Sequence, residues 1–361
     1  MQRLLPMMTL AVLGGLGWLF IKGGGLSQIA VTSTSPAQPA PAVTRDFRPW
    51  DPPVAGQAAP PPPSRPSPYQ PTTQAAGIHG SPAATGSAIR IASFNIQVFG
   101  NTKASNPPVI RTLAEIVRQF DLVAIQEIRS KNDYLIPNFV KLINQPGRRG
   151  QPGKHYDHVI GPRLGYTSSK EQYAFIFDAE RVEIDPQSVY TVGDPDGLMH
   201  REPLVATFRT RGVDPLHAFT FTLVNVHTDP DQVSAELDAL ADVYRAVRQS
   251  SQGEDDIILL GDFNADDRHL ERLGKIPGIY PLVVGTWTNT RQNRQYDNLI
   301  IHRPSTTEYM GRWGVFDVVR RWNLTEQQAL QISDHFPIWA EFSIYERDYA
   351  GRIASRQKPR W

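Results

Sequence analysis

From residue 89 onward, short runs of β-branched and aromatic residues alternate with polar intervals, several long enough for a helix. That rhythm restricts the chain to an α/β arrangement with many strands. Strands are predicted at residues 89–95, 122–126, 173–177, 204–208, 219–226, 257–260, 299–301 and 338–344. Helices are predicted around 109–119 and 231–249; in the second, Val233, Leu237, Leu240, Tyr244 and Val247 recur at three- and four-residue steps on one face. Interleaving of this kind predicts β-sheets packed together and covered by helices.

The chain before this region is of another kind. Residues 4–21 form an apolar run with Arg3 before it and Lys22 after it. Its length of roughly 18 residues lies between a signal-peptide core and a bilayer span. Residues 1–22 are therefore expected to act as a signal anchor or a cleaved signal peptide, and the protein to be exported: membrane-anchored, secreted or periplasmic. Residues 23–87 are rich in Pro, Ala, Ser and Thr, a composition that buries too little apolar surface to offset ordering entropy. A disordered spacer is expected there, a catalytic domain over 88–346, and a basic tail over 347–361. The absence of cysteine removes disulfides, thiolate metal sites and cysteine nucleophiles. A net charge of +1 means that any polyanion must be gripped by locally placed Arg and Lys.

Polar residues suited to metal and phosphate chemistry recur where the strands end. Asn95 and Glu127 close the first two, and the run from Ile257 delivers Asp262 and Asn264. His227 ends another, and Asp334 and His335 precede the last. Singly, each reads as turn chemistry or a structural histidine. Together, the carboxylates and amides are hard oxygen ligands for Mg2+, Mn2+ or Ca2+, and the histidines can move protons near neutral pH.

The ordered motifs Ser93-Phe-Asn95, Gln126-Glu127, Lys170-Glu-Gln-Tyr173, Arg201-Glu-Pro203, Asn225-Val-His227, Gly261-Asp-Phe-Asn264, Tyr296-Asp297 and Ser333-Asp-His335 resemble the signature series of the endonuclease/exonuclease/phosphatase superfamily. The Lys-Glu-Gln-Tyr and Arg-Glu-Pro motifs are similar to those of its deoxyribonuclease I branch. The resemblance implies a four-layer sandwich of two packed β-sheets flanked by helices, with the site at one edge. It implies a divalent ion, Mg2+ foremost, held by Asn95 and Glu127 on a polar floor with Asp262, Asn264 and Asp334. His227 and His335 would flank the scissile phosphate, oriented by Glu171 and Asp297 respectively. Arg129 and Arg201 match positions that approach DNA, so double-stranded DNA is the implied partner; no protein partner is expected, and the chain is expected to be a monomer.

Departures from the pattern are visible. Ser169 stands where the vertebrate enzymes carry a sugar-packing tyrosine, and the branch's disulfide is missing. The segment Thr286-Trp-Thr288 lacks an acidic partner for a structural calcium, for which residues 190–200 are the alternative place. Two rival functions stand beside the nuclease: a phosphomonoesterase or sphingomyelinase using the same site, and a non-catalytic binding module on the same fold.

Overall fold

The computed structural model describes residues 86–146, 153–166, 170–251 and 254–347. The apolar segment at 1–22, the spacer up to residue 85, Ser169 and the tail beyond Arg347 lie outside the described residues. Among the described residues no helix is long and apolar enough to cross a membrane.

The strands in chain order are β1 (Ala88–Phe99), β2 (Leu122–Ile128), β3 (Tyr156–Ile160), β4 (Gln172–Asp178), β5 (Val182–Ile184), β6 (Tyr190–Thr191) and β7 (Leu204–Thr210). They continue with β8 (Thr220–His227), β9 (Ile257–Asp262), β10 (Ile279–Pro281), β11 (Asp297–His302), β12 (Tyr309–Val315) and β13 (Ile338–Ser343). The helices are α1 (Asn101–Ala104), α2 (Pro107–Val117), α3 (Leu135–Ile143), α4 (Val233–Ser250), α5 (Glu271–Gly274), α6 (Val318–Trp322) and α7 (Glu326–Ile332). One sheet has the order β12-β13-β1-β2-β4-β3, the other β10-β11-β9-β8-β7-β5 with β6 against β7. Both are mixed: β1 runs parallel to β2 and β8 parallel to β9, while the other pairs are antiparallel.

Local sequence explains the helix ends. Proline at the start of α2 has no N–H to lose and a preset φ. A reciprocal capping box between Thr325 and Gln328 opens α7. Helices α2, α3 and α7 bury Leu113, Val117, Phe139 and Ile332 against Phe94, Val123 and Ile125 on the outer face of the first sheet. Helix α4 packs Leu237, Leu240 and Tyr244 onto Val224, Val226 and Leu259 of the second. Between the sheets lies a third apolar layer containing Ile91, Ala124, Phe175, Phe221, Leu260 and Ile338. The architecture is the four-layer α/β/β/α sandwich expected from sequence.

The two-residue period of a strand decides what this inner layer becomes at one end. In β1, Ile89 and Ile91 point between the sheets, so Ser93 and Asn95 follow in the same row. In β8, Phe219, Phe221 and Leu223 lead to Asn225 and His227; in β9, Ile258 and Leu260 lead to Asp262. In β4, the row Phe177, Phe175, Tyr173 runs back to Glu171, and in β11 the row Ile301, Leu299 runs back to Asp297. The polar cluster is thus the continuation of the inter-sheet core, its strand ends exchanging hydrophobic for ionisable side chains. Gln126 and Asn225 join the two sheets at the boundary, Nε2 of the first donating to Oδ1 of the second at 2.7 Å.

Candidate active site

Asp262 is the centre of the cluster. Its Oδ2 accepts from Asn95 Nδ2 at 3.0 Å and lies 3.6 Å from His227 Nε2 and 3.5 Å from His335 Nε2. Its Oδ1 accepts from the backbone N–H of Asn264 at 2.9 Å. Residues from both sheets therefore meet on one carboxylate. Gly261 makes the approach possible: at φ +153° its missing Cβ would lie 1.8 Å from the carbonyl oxygen of Val226.

Each histidine is held from behind through Nδ1. His227 Nδ1 is 2.9 Å from Glu171 Oε2, and His335 Nδ1 is 2.8 Å from Asp297 Oδ2. With a carboxylate taking the Nδ1 proton, each Nε2 is directed toward the site. Further groups lock the carboxylates: Thr288 Oγ1 donates to Asp297 Oδ2 at 2.7 Å, and the Arg129 and Arg201 guanidiniums reach Glu171 Oε1 at 2.7 and 3.4 Å. Backbone positions are fixed as well, because Tyr173 Oη accepts from the His227 N–H and Ser333 Oγ from the His335 N–H.

The electrostatics follow from burial and partners. Burial alone would raise Glu171, but the hydrogen bond and charge of His227, with Arg201 and Arg129, outweigh it and hold the carboxyl at about 2. Burial alone would lower His335, yet Asp297, Asp262 and Asp334 together hold its pKa well above the ordinary imidazole value. For Glu171 the folded-state pKa lies below its ordinary 4.5, so the resulting stability is complete above that pH and fades as pH falls toward 2. The shift corresponds to on the order of 3 kcal/mol. Glu171→Gln is accordingly expected to be markedly less stable than wild type at about pH 6, the gap narrowing below about pH 4.5 and closing toward about pH 2. Chemical denaturation at a series of pH values measures this; parallel stability curves would contradict the assignment.

Glu127 sits differently. Strand parity alone would turn its side chain toward the helices, with Val123 and Ile125. Two local distortions redirect it. Glu127 adopts φ +59°, and β1 carries extra residues between Asn95 and Phe99, where Gln97 and Val98 also have positive φ. A non-glycine residue held there is strained, and such strain concentrates at functional sites. In consequence Glu127 Oε2 accepts from Val98 N at 2.8 Å and Oε1 accepts from Asn95 Nδ2 at 3.1 Å.

The donor set suits a divalent cation. Asp334 Oδ1 is buried with no hydrogen-bond partner among the described residues, and burial together with Glu127 pushes its pKa up. Two carboxylates and an amide provide hard oxygens of the kind magnesium, manganese or calcium takes. Asn95 already uses Oδ1 to accept from Gln97 N at 2.8 Å and turns Nδ2 to both carboxylates, so as a ligand it would offer the remaining lone pair of Oδ1.

The fold brings together Asn95, Glu127, Glu171, His227, Asp262, Asn264, Asp297, Asp334 and His335. The two arginines sit differently from one another. Arg201 is buried and donates inward, to the carbonyls of His227 and Thr228 at 3.2 and 3.0 Å, and so braces the His227 segment. Arg129 is 30% exposed and bridges Glu171 and Glu127, the latter at 3.2 Å. In the loop at 190–200, Asp194 accepts from the N–H groups of Leu198 and Met199. Sequence reading also missed Lys103. Its Nζ donates to the carbonyls of Ile96, Gln97 and Ile332, pinning the β1 bulge to the segment before Asp334. Burial lowers its pKa to about 8 against the pull of Asp334 and Glu127. No spacing signal singles out that lysine, because its partners are backbone atoms.

Comparison with known proteins bears on this geometry. The Endonuclease/Exonuclease/phosphatase family matches residues 92–335. Deoxyribonuclease gamma of Rattus norvegicus is 31% identical over 273 residues, covering 71% of this chain and 84% of its own length. Deoxyribonuclease-1 of Sus scrofa is 32% identical over 264 residues, covering 69% and 90%. Among solved structures, an endonuclease/exonuclease/phosphatase family protein from Bacteroides thetaiotaomicron aligns with a TM-score of 0.49 at 16% identity, over 71% of this chain and 98% of its own.

Proposed function

This chain belongs to the endonuclease/exonuclease/phosphatase family, and on that premise we propose that it is a divalent-metal-dependent endonuclease that hydrolyses DNA phosphodiester bonds with little sequence preference. The observation that carries the reading is the pair of carboxylate-held histidines whose Nε2 atoms converge on one oxygen of Asp262. Relatives named deoxyribonucleases support DNA as the substrate.

In this reading a water attacks phosphorus in line, forming the new O–P bond as the bond to the 3′ oxygen breaks. His227, its Nδ1 engaged by Glu171, accepts the water proton at Nε2. His335, held protonated by the buried carboxylates around it, gives its Nε2 proton to the leaving oxygen. Asn264 keeps one amide hydrogen on the Thr228 carbonyl and can offer the other to a non-bridging oxygen. Glu127 and Asp334, with Asn95, would hold the divalent ion, which supplies Lewis-acid stabilisation of phosphate charge when bound. Arg129, half turned to solvent, would add a phosphate contact and make cleavage salt-sensitive.

The test is incubation of the full chain with supercoiled plasmid and Mg2+ or Mn2+, with sphingomyelin and inositol phosphates in parallel reactions. Nicking followed by linearisation, abolished by EDTA, is expected. Intact plasmid alongside release of phosphocholine or phosphate would overturn DNA as the substrate.

A further inference from the structure

At the opposite end of β9 from Asp262, about 20 Å away at the strand rise of ~3.3 Å per residue, three more carboxylates meet. Asp256 stands immediately before β9, Glu308 immediately before β12, and Glu346 follows β13. One oxygen of each lies within 4.8 Å of the others. Asp256 and Glu308 are 1% and 0% exposed, and Asp256 Oδ1 and Glu308 Oε2 have no hydrogen-bond partner among the described residues. Thr306, with a buried hydroxyl, lies beside Asp256 within reach of its carboxylate.

Buried carboxylates this close repel one another and cost several kcal/mol unless something neutralises them. Among the described residues, Asp256 faces the Glu308, Glu254 and Glu346 carboxylates and the Thr306 hydroxyl. Arg347 gives its backbone N–H to Glu308 Oε1, while its guanidinium turns to the Thr307 carbonyl at 3.4 Å on the exposed side. The remaining oxygens are anchored for holding a ligand: Thr307 Oγ1 donates to Glu308 Oε1, and Thr220 N donates to Glu346 Oε2.

We propose that Asp256, Glu308 and Glu346, with Thr306, bind one calcium ion that clamps the two sheets together at the end opposite the catalytic cluster. Donor chemistry favours calcium: three carboxylates and a hydroxyl are hard oxygens, and calcium accepts such a set in flexible geometry where magnesium demands a near-ideal octahedron. Position gives the ion its role. Asp256 belongs to the second sheet and Glu308 and Glu346 flank strands of the first, so the ion would add to the hydrogen bonds that already join the sheets at this end, such as Thr220 N to Glu346 Oε2. Neither calcium place considered from sequence, 190–200 or 286–288, contributes to this site.

The experiment titrates calcium into the metal-stripped full chain by calorimetry and follows thermal unfolding, comparing wild type with Asp256→Asn and Glu308→Gln. Calcium at about 100-fold over its dissociation constant should raise the wild-type Tm by roughly 5–10 °C. Each variant should bind one calcium fewer and lose most of that rise, while being no less stable than wild type without calcium, because a repulsive charge is gone. Equal stoichiometry and equal Tm shifts in wild type and variants, or no calcium-dependent shift in wild type, would overturn the proposal. If either variant fails to fold, Glu346→Gln, at a partly exposed position, provides the same comparison.

Discussion

Glutamine in place of His227 or His335 is expected to lower kcat for plasmid cleavage by roughly 10²–10⁴-fold each, the range for losing one positioned proton-transfer group. Glutamine keeps the volume and a donor but cannot carry a proton between partners. Because both Nε2 atoms serve one reacting centre beside Asp262, the double variant should fall little below the worse single one; groups that act as a unit are far from additive. Folding should survive, since the Tyr173 and Ser333 hydroxyls bond the histidine backbones and not their rings. Single-turnover rates on a nicking assay, with circular dichroism as a folding check, measure the effect. Activity within tenfold of wild type in either single variant would remove that histidine from the chemistry.

Asp262→Asn should be comparably damaging for a different reason. The substitution preserves shape and removes a buried negative charge at the point where both sheets converge. Its amide nitrogen would face the Asn95 Nδ2 donor across the present 3.0 Å contact, and its oxygen would attract imidazolium weakly. A loss of at least about 10²–10³-fold is expected, the scale of removing one preorganised electrostatic group. A second readout separates this from simple damage. Asp262 is among the charges that raise His335, so its loss lets the His335 pKa fall, and the pH at which the rate declines through His335 deprotonation should move to lower values. An unchanged pH profile would show that Asp262 does not act on His335.

How much of this was legible before the fold was known depends on what kind of force places each residue. The inner polar cluster was legible from polar residues recurring at strand ends, while Glu171 and Asp297 came only from the resemblance; in the fold, His227, Asp262 and Asp297 lie on the two-residue period of their strands. Glu127 was identified as a residue but not as a geometry, since its positive φ and the β1 bulge arise from the pairing of β1 with β2. The bracing contacts of Arg201 with the His227 and Thr228 carbonyls were not legible, because burial, a tertiary property, creates them. Lys103 and Thr288 were passed over because their partners are carbonyls and a carboxylate brought close by folding. Elements with weak or short patterns, such as β12 with its exposed middle and the short α6, were missed for the same reason: neighbours define them more than their own sequence does. The Asp256–Glu308–Glu346 cluster joins residues far apart in the chain, and no local motif announces it.

The rows that carry apolar side chains along the middle of the sandwich and ionisable ones at its end have a consequence for how such a chain can change over time. Lengthening or shortening a loop leaves every row in phase. Inserting or deleting one residue inside β8 or β9 does not: it turns His227 or Asp262 toward α4 and brings Val226 or Gly261 into the catalytic row. The chemistry therefore tolerates drift in the connections and almost none in strand length, so lineages of this fold should differ by what is spliced between strands while the strands themselves keep count.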